Sequence, residues 1–237
     1  MEEARGLTHL NMSSIDLHTI PHNDIRDSIA KIIANSQLQS LKLNNCNIQI
    51  TQDFINSFAD SDLIEEIEIA QAVSYPGFEE QIGQLLKKKA QKNKPLMKLD
   101  VSKVNVAALS RAVPEPLPLP AFEEEKNSQY SNGFTLSLSE CTCTEKTSDK
   151  FAHGFNTLSI VKQTNPDFVF SGIFKQQNNL RALTFSYANA PKTSPLFTDM
   201  QQNLANLKNT LIYLDLSHMK LGVTFAKSMK MFLENNN

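Results

Sequence analysis

Two cysteines one residue apart, Cys141 and Cys143, are followed by His153. Thiolates and an imidazole are the groups a zinc ion or a cysteine nucleophile needs. Zinc wants four ligands at recognisable spacing, and the remaining cysteine, Cys46, lies far back in the chain. A nucleophile wants a base oriented by a third group, and the sequence supplies no such partner. A second candidate is the acidic run Glu65, Glu66 and Glu68, which has the makings of an acid/base pair. A third is the basic run Lys87, Lys88 and Lys89, with Lys92 and Lys94 behind it, which suits weak contact with an anionic surface. His9, His18, His22 and His218 have no metal-ligand spacing. Glycine is scarce, at 7 residues, and neither GxGxxG nor a P-loop occurs, which removes the simplest nucleotide-binding readings.

The elements that must position these groups follow from one pattern. In "LQSLKLNNCNI", Leu38 to Ile48, the apolar residues fall at offsets 0, 3, 5, 8 and 10. Neither a helix (0, 3, 4, 7) nor strict alternation matches that spacing. The 0, 3, 5 frame recurs at Leu7, Leu10, Met12 and at Ile64, Ile67, Ile69. It returns at Leu96, Leu99, Val101, and at Gly133, Leu136, Leu138. Three more frames are Phe155, Leu158, Ile160, then Leu180, Leu183, Phe185, then Leu211, Leu214, Leu216. Offsets 8 and 10 carry Ile15 and Leu17, Cys46 and Ile48, Val104 and Val106, Cys141 and Cys143, and Met219 and Leu221. They are degenerate in the third, sixth and seventh frames. Starts are 22 to 37 residues apart, with a mean of about 29.

Offsets 3 and 5 are alternate residues of a short strand that face one core. The flanking offsets belong to the turns around it, and a small cysteine suits offset 8. All three cysteines are therefore expected in the core, without metal or cofactor. Between frames lie helical patterns. "NDIRDSIAKIIANS" puts Ile25, Ile29, Ile32 and Ile33 on one face, with Asn23 or Asp24 as its cap. Thr51 precedes Phe54, Ile55 and Phe58, and Pro76 opens a helix with Phe78, Ile82, Leu85 and Leu86. "SPLFTDMQQNLANLKN" and the last stretch, with Phe225, Met229 and Phe232, give two more. From Val113 to Gly133 four prolines interrupt the pattern, which predicts an extended insertion in place of a helix.

These units resemble the leucine-rich repeat family, in its ribonuclease-inhibitor-like subclass; "LIYLDLSHMKLG" and "LMKLDVSKVNV" are the nearest to its pattern. The resemblance implies an α/β solenoid over residues 1–237, with about eight irregular units. A curved parallel sheet would lie inside and helices outside. The segment from Leu180 to Gly222 is also similar to the repeat region of the CARMIL actin-regulator family, which implies an adaptor near actin. No match to that family's capping-protein-binding segment is present.

In such an array the offsets 2 and 4 face away from the core. Lys42 then sits beside Glu68, and Glu66 beside Lys98, so charge pairing accounts for the acidic run without chemistry. The expected binding surface is Glu66, Glu68, Lys98 and Asp100 on the early strands, with Tyr187, Tyr213 and Asp215 at the C-terminal end. The expected function is a non-catalytic scaffold whose partner is another protein. The alternative is the substrate-recognition part of a secreted bacterial effector or of a larger enzyme. A net charge of -2 gives no field for nucleic acid. No apolar run is long enough for a transmembrane segment, and the N-terminus lacks a secretory h-region. With an odd number of cysteines, the reading is a reduced, cytoplasmic compartment. The final unit has no visible lid, so the chain is expected to be a segment of a longer repeat protein or to dimerise through its open C-terminal end.

Overall fold

The computed structural model describes residues 6–17, 20–71, 76–92, 94, 96–113, 134–143, 157–161, 180–186 and 211–217, with Val223, Ala226, Lys227, Met229 and Lys230 beyond them. Each frame places a strand at the same offsets. The strands are β1 (His9–Asn11), β2 (Ser40–Lys42), β3 (Glu66–Glu68), β4 (Lys98–Ser102), β5 (Thr135–Ser139), β6 (Thr157–Val161), β7 (Ala182–Ser186) and β8 (Tyr213–Asp215). They form one parallel sheet in sequence order. The register follows the frame across it: His9, Ser40, Glu66, Lys98, Thr135, Thr157, Ala182 and Tyr213 stand in one row. Identical spacing around each strand allows the same side chain to meet its counterpart in every neighbour.

Four helices are described: α1 (His22–Asn35), α2 (Gln52–Asp60), α3 (Phe78–Gln91) and α4 (Val106–Ala112). Their apolar stripes join the strands' offsets 3 and 5 in a single core. Leu41, Leu43, Ile67, Leu99, Val101 and Leu138 are fully buried there. At the two ends of the sheet the same offsets are only half-buried, at Leu10, Met12, Leu214 and Leu216. No helix among the described residues is long and apolar enough to cross a membrane.

Capping explains two helix starts. Thr51 accepts from the Phe54 amide, and Asn105 accepts from Ala107 and Ala108. At α1 the expected cap was misplaced, since Pro21 occupies the N-cap and Asn23 instead accepts from the Arg26 guanidinium. At α3 the N-cap is Gly77 at φ 85°, so Pro76 stands two residues before the first helical position, Phe78. The fourth unit keeps a helix of its own, α4, before the proline segment begins. The expected insertion lies outside the described residues from 114 to 133. In α3, Gly83 lets α4 come close: a β-carbon there would lie 2.6 Å from the Ala112 carbonyl carbon.

One regularity had no counterpart in the frame. The residue at offset 7 is left-handed in five units, at Ser14, Asn45, Gln71, Lys103 and Glu140. Its amide donates to the next unit's offset-6 carbonyl in four of them, as Ser14 does to Asn44 and Lys103 to Ser139. The turn thus prolongs the sheet's hydrogen bonding beyond the strand, a gain that offsets the strain of a positive φ.

Candidate functional site

The sheet face turned away from the core carries offsets 2, 4 and 6. On β2 to β4 it holds a polar cluster centred on Glu68. Glu68 is buried; its Oε1 accepts from Lys42 Nζ at 2.9 Å and from Lys98 Nζ at 2.6 Å. Its Oε2 accepts from Asn44 Nδ2 at 2.9 Å, and Asn44 Oδ1 accepts from the Ala70 amide at 2.8 Å. Beside it, Ser40 Oγ donates to Glu66 Oε2 at 2.9 Å. The expected ladder neighbours are therefore in register, but Lys98 reaches diagonally to Glu68 rather than across to Glu66. A four-carbon stem spans that diagonal easily, and one carboxylate oxygen then serves two ammonium groups.

The charges tune one another. Burial pushes the Glu68 carboxyl up, but the Lys98 and Lys42 hydrogen bonds outweigh it and hold it below its usual value. The hydrogen bond to Glu68 raises Lys42. Asp100 goes the other way: burial, and then the Glu68 charge, push its carboxyl up, against a hydrogen bond from Ser137. Asp100 Oδ1 is buried and has no hydrogen-bond donor among the described residues. A doubly paired, ionised Glu68 has no proton to give and no free lone pair on Oε1 to take one, which suits a structural brace better than an acid or base.

The second expected patch lies apart. Tyr213 is 44% exposed on β8, and Asp215 accepts from the Ser217 amide at 2.8 Å. Four strand spacings, about 19 Å, separate β8 from β4, so the two groups do not form one site. Tyr187 lies outside the described residues, as do His18, His153, His218, Phe225, Phe232 and the segment from Ser194 to Asn209.

The cysteines are in the core. Cys46 Sγ lies 2.9 Å from the Met12 carbonyl, and Cys141 Sγ lies 3.3 Å from that of Ser139. Burial pushes the Cys141 thiol up to about 12, which keeps it protonated and unreactive. Cys143 is equally buried. Ile15, also at offset 8 but in the unit of the edge strand β1, departs from this rule: it is 48% exposed.

The basic run needs a correction. Lys87 and Lys88 are exposed, but Lys89 is fully buried and cannot touch an anionic surface. Its Nζ donates to the carbonyls of Ser61 at 2.7 Å and Ile64 at 2.6 Å. Lys92 is also engaged, with Asp62 at 3.0 Å and the Asp60 carbonyl at 2.9 Å. Part of the physical reason is the end of α2, where the Asp60 and Ser61 carbonyls have no donor within the helix; the Ile64 carbonyl lies beyond it. Asn44 and Ser40 were also missed as members of the Glu68 cluster. The available signal was their place at offsets 6 and 2, on the face that carries the charges.

This geometry defines a class: an α/β protein with one all-parallel eight-stranded sheet, strands in sequence order, consistent with a repeat solenoid. No family model matches the chain, and no curated protein or solved structure matches it.

Proposed function

We propose that the chain is a leucine-rich repeat array and acts as a non-catalytic scaffold that holds another protein against the free face of its sheet. Helices need about 10 Å of width and strands about 4.8 Å, so stacked units would curve with that face inside. A cytoplasmic adaptor near the cytoskeleton is the finer reading, and it rests on the likeness of Leu180–Gly222 to the CARMIL repeats. The observation that carries the scaffold reading is Asp100. A carboxylate half-buried beside Glu68, with one buried oxygen lacking a donor, costs stability, and a partner that draws this side chain outward onto a donor of its own would relieve that cost. A lysine, arginine or backbone amide of a partner would supply it.

Asp100→Asn tests this through two readouts. Because the folded pKa is raised above 3.8, ionisation of Asp100 disfavours the native state as pH rises past that value. The variant should therefore unfold at a higher temperature than the wild type at neutral pH, with the gain shrinking as pH falls toward 3.8. It should also retain less of any protein captured by the wild-type chain, because the acceptor has lost its charge. Undiminished capture by a well-folded variant would remove Asp100 from the proposal.

A further inference from the structure

Strands β3 and β4 set four charges at the corners of a rectangle on the free sheet face. Glu66 stands opposite Lys98, and Glu68 opposite Asp100. Facing residues are about 4.8 Å apart and alternate residues along a strand about 6.6 Å, so each diagonal is about 8 Å at the backbone. Lys98 takes one diagonal, its Nζ donating to Glu68 Oε1 at 2.6 Å. Lys42, on the other side of Glu68, donates to the same oxygen at 2.9 Å. Both ammonium groups are thereby committed to one buried carboxylate. The second diagonal, Glu66 to Asp100, holds two carboxylates that no described cation pairs with. Glu66 accepts from Ser40 Oγ at 2.9 Å, and Asp100 Oδ1 accepts from nothing among the described residues. Neither residue is fully buried. Two positive charges against three negative ones leave the group at a net -1.

We infer that this face takes an extended basic segment, with arginine or lysine at alternate residues meeting Glu66 and Asp100, and that Glu68 sets this preference by holding both lysines away from them. The inference rests on the scaffold reading and narrows it to one class of partner. Alternate side chains of an extended segment leave the same side about 6.6 Å apart, close to the diagonal, and long basic stems cover the difference. A segment with two cations complements the two unpaired carboxylates. An acidic segment would meet the same carboxylates and find the lysines already occupied. Glu66 meets its cation where it stands, and Asp100 turns outward to meet the other. Glu68 touches no part of the segment; it is a positioning residue, because without it Lys98 is free to cross to Glu66 and neutralise the diagonal.

Three synthetic peptides test this, with central residues Arg-Ser-Arg, Arg-Arg-Ser and Glu-Ser-Glu. The first two carry the same charge, but adjacent arginines leave an extended chain on opposite sides. Each is titrated into the isotope-labelled full chain at low salt, and the amide resonances of β3 and β4 are followed by nuclear magnetic resonance. Arg-Ser-Arg should shift both strands saturably, with an affinity that falls as salt is added. Arg-Arg-Ser should bind about two- to fivefold more weakly, and Glu-Ser-Glu should not bind. Glu66→Gln and Glu68→Gln should each weaken Arg-Ser-Arg by about the same factor, and adding Lys98→Met to Glu68→Gln should restore it. Lys98→Met alone leaves Glu68 held by Lys42 and should bind at least as tightly as the wild type, so the test does not depend on Glu68→Gln folding. Equal binding of the two arginine peptides, binding of Glu-Ser-Glu, or weaker binding by Lys98→Met would overturn the inference. An absence of shifts with every peptide would overturn it too; a protein still captured by this face would then leave the scaffold reading standing without it.

Discussion

Leu43→Asp should abolish cooperative unfolding, leaving a chain that aggregates or lacks a thermal transition by circular dichroism. Leu43 is fully buried at offset 5 of the second unit, and its amide donates to the Glu68 carbonyl. Lys42 and Lys98 both lie on the opposite face, and the buried ammonium of Lys89 is already bonded to the Ser61 and Ile64 carbonyls, so a carboxylate there gains no ion pair. Burying an unpaired charge costs more than the roughly 5–15 kcal/mol that holds a typical domain together. Leu43→Ala, which leaves only a cavity, should cost about 2–5 kcal/mol and keep a measurable transition. Leu214→Asp makes the useful contrast. Leu214 is half-buried on the edge strand β8, so a carboxylate there retains some water, and the variant should remain folded with a lowered midpoint. Equal severity at the two positions would contradict the difference in burial between Leu43 and Leu214.

Lys89 should give the second large effect. Its stem fills the core beneath α3, and its ammonium donates to Ser61 at the C-terminal end of α2 and to Ile64 beyond it. Lys89→Ala removes the donor and opens a cavity, at an expected cost of about 3–5 kcal/mol. Lys89→Met keeps the volume and leaves two carbonyls short of a donor, at about 1–3 kcal/mol. The difference between wild type and Lys89→Met should depend on pH. Burial lowers the Lys89 pKa from 10.5 to about 8; the Lys92 and Lys94 charges act in the same direction, against Asp62 and Glu65. Between those two values the unfolded chain holds the proton more tightly than the native one, so native stability rises with pH. The advantage of lysine over methionine should therefore grow between pH 8 and 10.5, by no more than about 1.4 kcal/mol per unit. Urea unfolding of both proteins across that range measures it, and a flat difference would mean that Lys89 keeps an ordinary pKa.

The strands were legible because the apolar spacing repeats around each of them, and a sheet in sequence order needs nothing more to set its register. The burial of Lys89 was legible too, though it was missed. Ile82, Leu85, Leu86 and Lys89 stand at 0, 3, 4 and 7, so the lysine falls on the apolar stripe of α3. Its charged neighbours Lys87 and Lys88 made all three look like one solvated run. The left-handed residue at offset 7 was less legible. Asn45 tolerates that conformation well, but Gln71, Lys103 and Glu140 advertise nothing of it, and only the hydrogen bonds to the next unit account for them. The diagonal Lys98–Glu68 contact lies beyond any register argument, because it depends on which of two nearby carboxylates a flexible stem reaches.

The scaffold reading stands or falls on which face meets a partner. A photoreactive amino acid placed at Thr135 sits beside Lys98 on the free sheet face, whereas one at Lys88 sits on the exposed side of α3. Irradiating each variant in extract and identifying the crosslinked proteins by mass spectrometry compares the two faces within one fold. The account predicts a protein captured from Thr135, absent from Lys88, and lost from Thr135 when Asp100→Asn is added. Crosslinks from Lys88 with none from Thr135 would contradict it.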